Sequence, residues 1–197
     1  MTEFKGFPKM ARLSREMVVT EKLDGTNASI YISEDGEFLV GSRTRWITPE
    51  EDNYGFAKWA YKNKEELMKL GHGHHFGEWW GKGIQRGYNE IEKKFSLFNT
   101  IRWCLHDQEP QIITQPNASI VKYQEKLPSC VSLVPVLYTG LFSTDAVNDC
   151  ISFLKGNGSV ASKGFMKPEG VVAFHIAANF GFKKTIEKDD IPKSLVK

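Results

Sequence analysis

Lys22 and Asp24 are separated by one residue in the segment Glu21-Lys22-Leu23-Asp24-Gly25-Thr26-Asn27. In an extended strand residues i and i+2 share a face, so this amine and carboxylate would point into one cleft. Gly25 permits a sharp turn directly after them. A lysine amine attacks an electrophile only once it has lost its proton. Its ordinary pKa is about 10.4, so burial, a neighbouring cation or a metal must lower it, whereas Asp24 alone favours the ammonium. Taken by itself the pair is more simply read as a surface Lys–Asp contact ahead of a turn.

The surrounding pattern supplies strands to position it. Val18–Glu21 and Ala28–Tyr31 have strand character with a turn at Asp24–Asn27, and Phe38–Ser42 completes a second hairpin through Glu34-Asp35-Gly36. Thr48 followed by Pro49 and three acidic residues predicts a helix start, with Phe56, Trp59, Ala60, Leu67 and Leu70 as its apolar face and Gly71 as its stop. Further strands are expected at His75–Trp80, Phe95–Trp103, Val131–Tyr138, Gly170–Phe174 and Phe180–Lys184. Thr144 is expected to cap a second helix that carries Val147, Cys150, Ile151 and Leu154 on one side and ends at Gly156. Asp107–Pro128 is turn-rich. Many strands, two principal helices and no βαβ alternation predict an α+β fold built on antiparallel β-sheets flanked by helices.

The chain has 197 residues, 41% hydrophobic and 25% charged, which fits one globular domain and excludes fibrous and disordered classes. No apolar run approaches the ~18 residues of a membrane span, so no membrane partner is expected. Cys104, Cys130 and Cys150 are an odd count without CxxC spacing, pointing to a reducing, cytoplasmic setting rather than a disulfide or zinc framework. With a net charge of +2, any polyanion must be held by a local patch. Neither GxxxxGK[ST] nor GxGxxG occurs, so the P-loop and Rossmann readings fail. His72-Gly73-His74-His75 reads as a polar turn before a strand, and Trp46, Trp59 and Trp103 as core residues.

The segment at Lys22 resembles motif I of the covalent nucleotidyltransferases, the polynucleotide ligases and messenger-RNA capping enzymes. Gly41-Ser42-Arg43 resembles motif Ia, Phe76-Gly77-Glu78 motif III and Phe95-Ser96-Leu97-Phe98 motif IIIa. Glu169-Gly170-Val171-Val172 is similar to motif IV, and Phe182-Lys183-Lys184-Thr185 falls where motif V is expected. These motifs run in the family's order over residues 18–185. FGEWWGKGIQRGY and EKLDGTNASI resemble the RNA ligases, particularly the RNA ligase 2 family. The resemblance implies the ATP-grasp-like adenylation fold of the ligases, as a single domain over residues 1–197.

It also implies roles. Lys22 would attack the α-phosphorus of ATP, with Asp24 beside it in the catalytic set, and carry AMP as a phosphoramidate. Glu21 belongs to the same nucleotide-binding motif. Arg43 would contact phosphate or ribose, Glu78 the ribose hydroxyls, and Phe98 would stack on adenine. Glu169 would hold Mg²⁺, with Mn²⁺ as a substitute. Lys183 and Lys184 would neutralise the phosphates. The family usually shows Lys-x-Lys there, so either lysine could face the nucleotide. Lys82 and Arg86, interleaved with Trp79, Trp80 and Tyr88, could track a nucleic-acid backbone while the aromatics stack bases; a solvated glycine-rich loop is the alternative.

The short segments before Lys22 and after Thr185 carry two expectations. One is ATP rather than NAD⁺ as the AMP donor. The other is a catalytic domain without an appended OB-fold or helical domain, which a partner protein would then supply. The leading expectation is an ATP-dependent RNA ligase active in RNA repair, acting on RNA ends or nicked duplex, possibly also DNA. Alternatives are a DNA ligase or guanylyltransferase on the same scaffold, or a non-catalytic module binding nucleic-acid ends.

Overall fold

A computed structural model describes residues 2–105, 111–112, 122–123 and 127–191. In chain order the elements are β1 (Glu16–Lys22), β2 (Thr26–Ile32), β3 (Phe38–Gly41), α1 (Phe56–Lys62), α2 (Lys64–Leu67), a 3₁₀ turn (Met68–Leu70), β4 (Gly73–Gly81) and β5 (Lys93–Leu97). They continue with α3 (Thr100–Trp103), β6 (Cys104–Leu105), β7 (Gln111–Ile112), β8 (Lys122–Tyr123), β9 (Val131–Leu133), β10 (Val136–Leu141), α4 (Thr144–Asn157), β11 (Gly170–His175) and β12 (Phe180–Thr185).

Two five-stranded sheets carry the fold. The first has the order β12-β11-β1-β10-β7 and is antiparallel throughout. The second has the order β3-β2-β4-β5-β9, antiparallel except for the parallel pair β5–β9. A two-stranded pair, β6–β8, stands apart. The α+β class and the antiparallel sheets match the sequence pattern.

Period-2 alternation decides each sheet's inner face. Met17 and Val19 of β1 pack with Val171 and Ala173 of β11 against Ala146, Cys150, Ile151 and Leu154 of α4. In the second sheet Ala28, Ile30, Ile32, Phe38, Val40, Trp79, Phe95 and Leu97 pack against Phe56, Ala57, Ala60, Leu67 and Leu70. A third cluster, Leu23, Trp80, Tyr88, Val134 and Phe165, joins the two sheets near the end of β1. The sheet faces turned away from the helices are therefore left to build a site.

Several expected boundaries moved. The first helix starts at Phe56, not after Thr48, because the Asp52 carboxylate accepts from the backbone N–H groups of Ala57 at 2.7 Å and Lys58 at 3.0 Å. Thr48 Oγ1 instead accepts from Glu51 N and closes a local turn. The strand expected over Phe95–Trp103 ends at Leu97, where Asn99 Oδ1 accepts from Arg102 N and starts α3. Val131–Tyr138 divides at Pro135, which lacks an N–H for the ladder, and its halves enter different sheets. Ser143, one residue earlier than expected, caps α4 by accepting from Ala146 N, and the helix runs through Gly156 to Gly158, whose φ is 80°. Most of the turn-rich stretch 107–128 lies outside the described residues.

Candidate active site

β1 passes into β2 through Leu23, Asp24 and Gly25, so this connection steps from one sheet to the other. Gly25 is required for space rather than for an unusual φ. A Cβ there would collide with the carbonyl oxygen of Trp79 and lie 2.8 Å from Trp80 Cβ and 3.1 Å from Glu78 Cγ. The turn is thereby pressed onto β4. Glu78 fixes it: Oε1 accepts from Gly25 N at 2.9 Å, and Oε2 accepts from Asn27 Nδ2 at 3.2 Å.

Lys22 is the last residue of β1, and its strand partner in β11 is Gly170. The residue before Gly170 is Glu169, whose Oε2 lies 2.5 Å from Lys22 Nζ. The lysine side chain is 20% exposed and the glutamate 8%, so the pair sits in a cleft that solvent reaches from the lysine side. Lys22, Asp24, Glu78 and Glu169 lie close enough for their charges to interact. Burial pushes the Glu78 carboxyl up to about 7, against the opposing pull of the Gly25 N–H and the Lys22 charge, with Glu169 and Asp24 adding to the rise.

Asp24 does not engage Lys22 directly. Its Oδ2 accepts from Arg86 Nε at 2.9 Å, and its backbone N–H donates to the Tyr88 hydroxyl at 2.9 Å. Arg86 Nη1 also donates to the carbonyl of Lys167 at 3.0 Å, two residues before Glu169. The loop after β4 thus holds the turn after the nucleophile candidate and the segment before Glu169. This corrects the expectation that Arg86 is a free backbone-tracking cation. Lys82 is exposed at the mouth of the same loop. Trp79, Trp80 and Tyr88 cannot stack bases, since each is at most 2% exposed: Trp79 lies under the helices, and Trp80 is edge-on to Tyr88 and donates to Ser96 Oγ.

Strand register separates the two adjacent lysines. Thr20 pairs with Val172 and Val172 with Lys183, so Lys183 stands on the face that carries Lys22. Lys184 pairs with Val171, which belongs to the core under α4, and its Nζ donates to Asn148 Oδ1 on that helix at 2.7 Å. Lys184 is therefore turned away from the cleft. Glu21 is turned the same way. It is 1% exposed and accepts from Ser159 Oγ at 2.6 Å, Val160 N at 2.8 Å and Ala161 N at 3.0 Å. Burial raises its pKa despite those three donors. Its carboxylate fastens the loop after α4 and is not free for a nucleotide.

Phe98 continues β5 past Leu97, donates its N–H to the Phe76 carbonyl at 2.9 Å and is 41% exposed, so its ring is available for stacking. Val172 was quoted only as part of the motif IV segment and given no role, yet it occupies the cleft face of the first sheet beside Lys183. Asn27 and Tyr88 were likewise missed as supports of Glu78 and Asp24; their partners lie 51 and 64 residues away, and nothing local signals them. Arg43 lies exposed in the turn after β3, with no side-chain hydrogen bond or ion pair to the Lys22 cluster among the described residues.

The residues of motifs I, III and IV, Lys22, Glu78 and Glu169, are thus brought close together, and Lys183 of motif V shares the sheet face of Lys22. The model of the family described as RNA ligase matches residues 15–186. The chain belongs to the RNA ligase family. Solved structures show the same fold. A variant of the Naegleria gruberi RNA ligase, solved with ATP and Mn, is 23% identical with a TM-score of 0.56, covering 87% of this chain and 50% of that one. Another, with AMP and Mn, is 22% identical with a TM-score of 0.54, covering 88% and 50%. This RNA ligase family chain spans about half the length of those structures. No curated protein sequence matches it.

Among the described residues no group of three or more His, Cys, Asp or Glu side chains is arranged to hold a metal by itself. Mg²⁺ and Mn²⁺ need no such cluster, since they take one or two carboxylates and complete their shell with water and substrate phosphates, and the cleft carboxylate of Glu169 is of the type they accept.

Proposed function

We propose that this protein is an ATP-dependent RNA ligase that works through a lysyl-AMP intermediate on Lys22. The observation that carries the reading is the Lys22–Glu169 contact at 2.5 Å, with Glu78 and Lys183 on the faces flanking it. Lys22 Nζ forms a P–N bond to the α-phosphorus of ATP, and the bond to the leaving pyrophosphate breaks. AMP then passes to a 5′-phosphate RNA end, and a 3′-OH displaces it to form the phosphodiester.

The residues around Lys22 divide the work. Glu169 keeps the Lys22 side chain aimed into the cleft. Only a neutral amine is a nucleophile, so a proton must pass from Nζ to solvent before the P–N bond forms. A divalent ion bound with ATP supplies positive charge at the phosphates, and Glu169 would hold it. Lys183 places a fixed cation where charge builds on the phosphate oxygens. Glu78 accepts hydrogen bonds from the ribose, while Phe98 and Val172 offer apolar surface to the base. Arg86 positions Asp24. Substrate ends beyond RNA, among them DNA nicks, and a partner protein that helps to engage the RNA belong to the same reading.

Incubation with labelled ATP and Mg²⁺ tests it. One AMP should attach per chain through a bond labile in acid and stable in alkali. Lys22→Ala and Lys22→Arg should both fail, because a guanidinium stays protonated. Labelling by GTP in place of ATP would favour a guanylyltransferase, and sealing of DNA but not RNA nicks a DNA ligase. Undiminished labelling of either Lys22 variant would remove the assignment.

A further inference from the structure

The face of the second sheet that carries Glu78 continues, away from Lys22, into a layer of exposed rings. Along β4 the residues Glu78, Phe76 and His74 alternate with the buried Trp79 and His75, so all three stand on the face opposite the helices. Tyr31 of β2 lies directly across from His74, and Trp46 bridges back to Gly41 at the end of β3. Ring centroids are 4.4 Å apart for Tyr31–His74, 6.2 Å for Tyr31–Trp46, 6.1 Å for Trp46–His74 and 5.5 Å for His74–Phe76. The last two pairs are within 20° of parallel.

These rings are not core, contrary to the expectation for Trp46. Trp46 is 49% exposed and Phe76 56%, whereas Trp103 is 1% exposed. Gly41 lets the indole lie against the sheet, since a Cβ there would come within 3.2 Å of Trp46 Cε3. A contiguous layer of half-exposed aromatic rings marks an interaction surface. Arg43 and Arg45 flank it on the turn that delivers Trp46, and Arg43 has no ion-pair partner among the described residues. Near-parallel rings on an antiparallel sheet face beside arginines fit flat, unpaired bases joined by phosphates. A duplex would present phosphates and ribose edges instead, with its base faces already stacked.

We propose that Tyr31, Trp46, His74 and Phe76 form a stacking platform for unpaired bases of the RNA strand whose end enters the Lys22 site. The platform rests on the ligase reading for the identity of that strand. Lost stacking should act on affinity without changing how many phosphates are neutralised.

The test compares fluorescently labelled single-stranded RNA of about a dozen nucleotides with the same sequence fully paired. The double variant Tyr31→Ala/Trp46→Ala should bind the single strand at least about tenfold more weakly, with an unchanged salt slope and unchanged duplex binding. Trp46→Phe should retain most of the affinity. Both variants should self-adenylylate within about twofold of the parent, which also shows that they fold. Equal affinity of parent and double variant for the single strand overturns the platform. So does an equal loss for duplex, or an effect confined to self-association with rising protein concentration, which would make a second copy the occupant. If the parent takes no label from ATP while the double variant still loses single-strand binding, the platform stands and the ligase reading falls.

Discussion

Lys22 and Glu169 are 147 residues apart in the chain, yet Nζ and Oε2 lie 2.5 Å apart across the β1–β11 pairing. The contact follows from register: Gly170 stands opposite Lys22, so its predecessor is delivered to the end of the lysine side chain. A Cβ at Gly170 would lie 2.7 Å from Thr185 Cα, so this register admits no larger residue there.

Glu169→Gln keeps the shape of the side chain but removes the charge that holds the ammonium and that a hard cation needs. Self-adenylylation should fall severely while circular dichroism stays that of the parent. Parental rates at limiting Mg²⁺ would show that the metal sits elsewhere.

The two adjacent lysines should separate cleanly. Lys183→Ala removes a cation from the cleft face and should slow adenylylation by about 10²–10³-fold, the usual loss for one fixed donor at a developing charge. Lys184→Ala removes only the contact to Asn148 and should leave the rate within a few-fold. Single-turnover labelling of both variants decides it, and the reverse ranking would mean that β12 shifts by one residue when nucleotide binds.

Arg86 and Lys82 should likewise differ. Arg86→Ala frees Asp24 and the segment at Lys167, and should slow adenylylation itself by on the order of ten- to a hundredfold through misplacement of the site. Lys82→Ala should leave adenylylation intact. If Lys82 touches RNA phosphate, its loss lowers the slope of log affinity against log salt by about 0.7–0.9. Equal labelling by the parent and Arg86→Ala would reduce the Asp24 contact to a surface pair.

Glu78 predicts a pH dependence of stability. Its folded-state pKa of about 7 lies above the ordinary 4.5, so the folded protein keeps a proton that the unfolded chain releases. The resulting contribution is fully present below 4.5 and is lost as pH rises to about 7. Tm should therefore fall across that window, and Glu78→Gln should flatten the fall. An unchanged Tm profile in the variant would assign the dependence to other groups, among them the buried Glu21.

The sequence by itself determined what is local. The strand character of β1, β2, β11 and β12, the two helix cores and the order of the motif residues follow from spacing along the chain, because strand and helix periods are set within a few residues. Lys22, Glu78 and Glu169 could be picked out in this way. Which way a side chain faces is another matter, since it depends on which neighbour a strand pairs with and which face a distant helix covers. Tertiary structure alone turned Lys184 toward α4 and Lys183 toward Lys22. It gave Glu21 to a loop 138 to 140 residues away. It bound Arg86 to Asp24 across 62 residues, and laid Trp46 open on a sheet face where its composition had suggested core. The chemistry of each residue is written in its type, but its partner is fixed only when two sheets and a helix close around it.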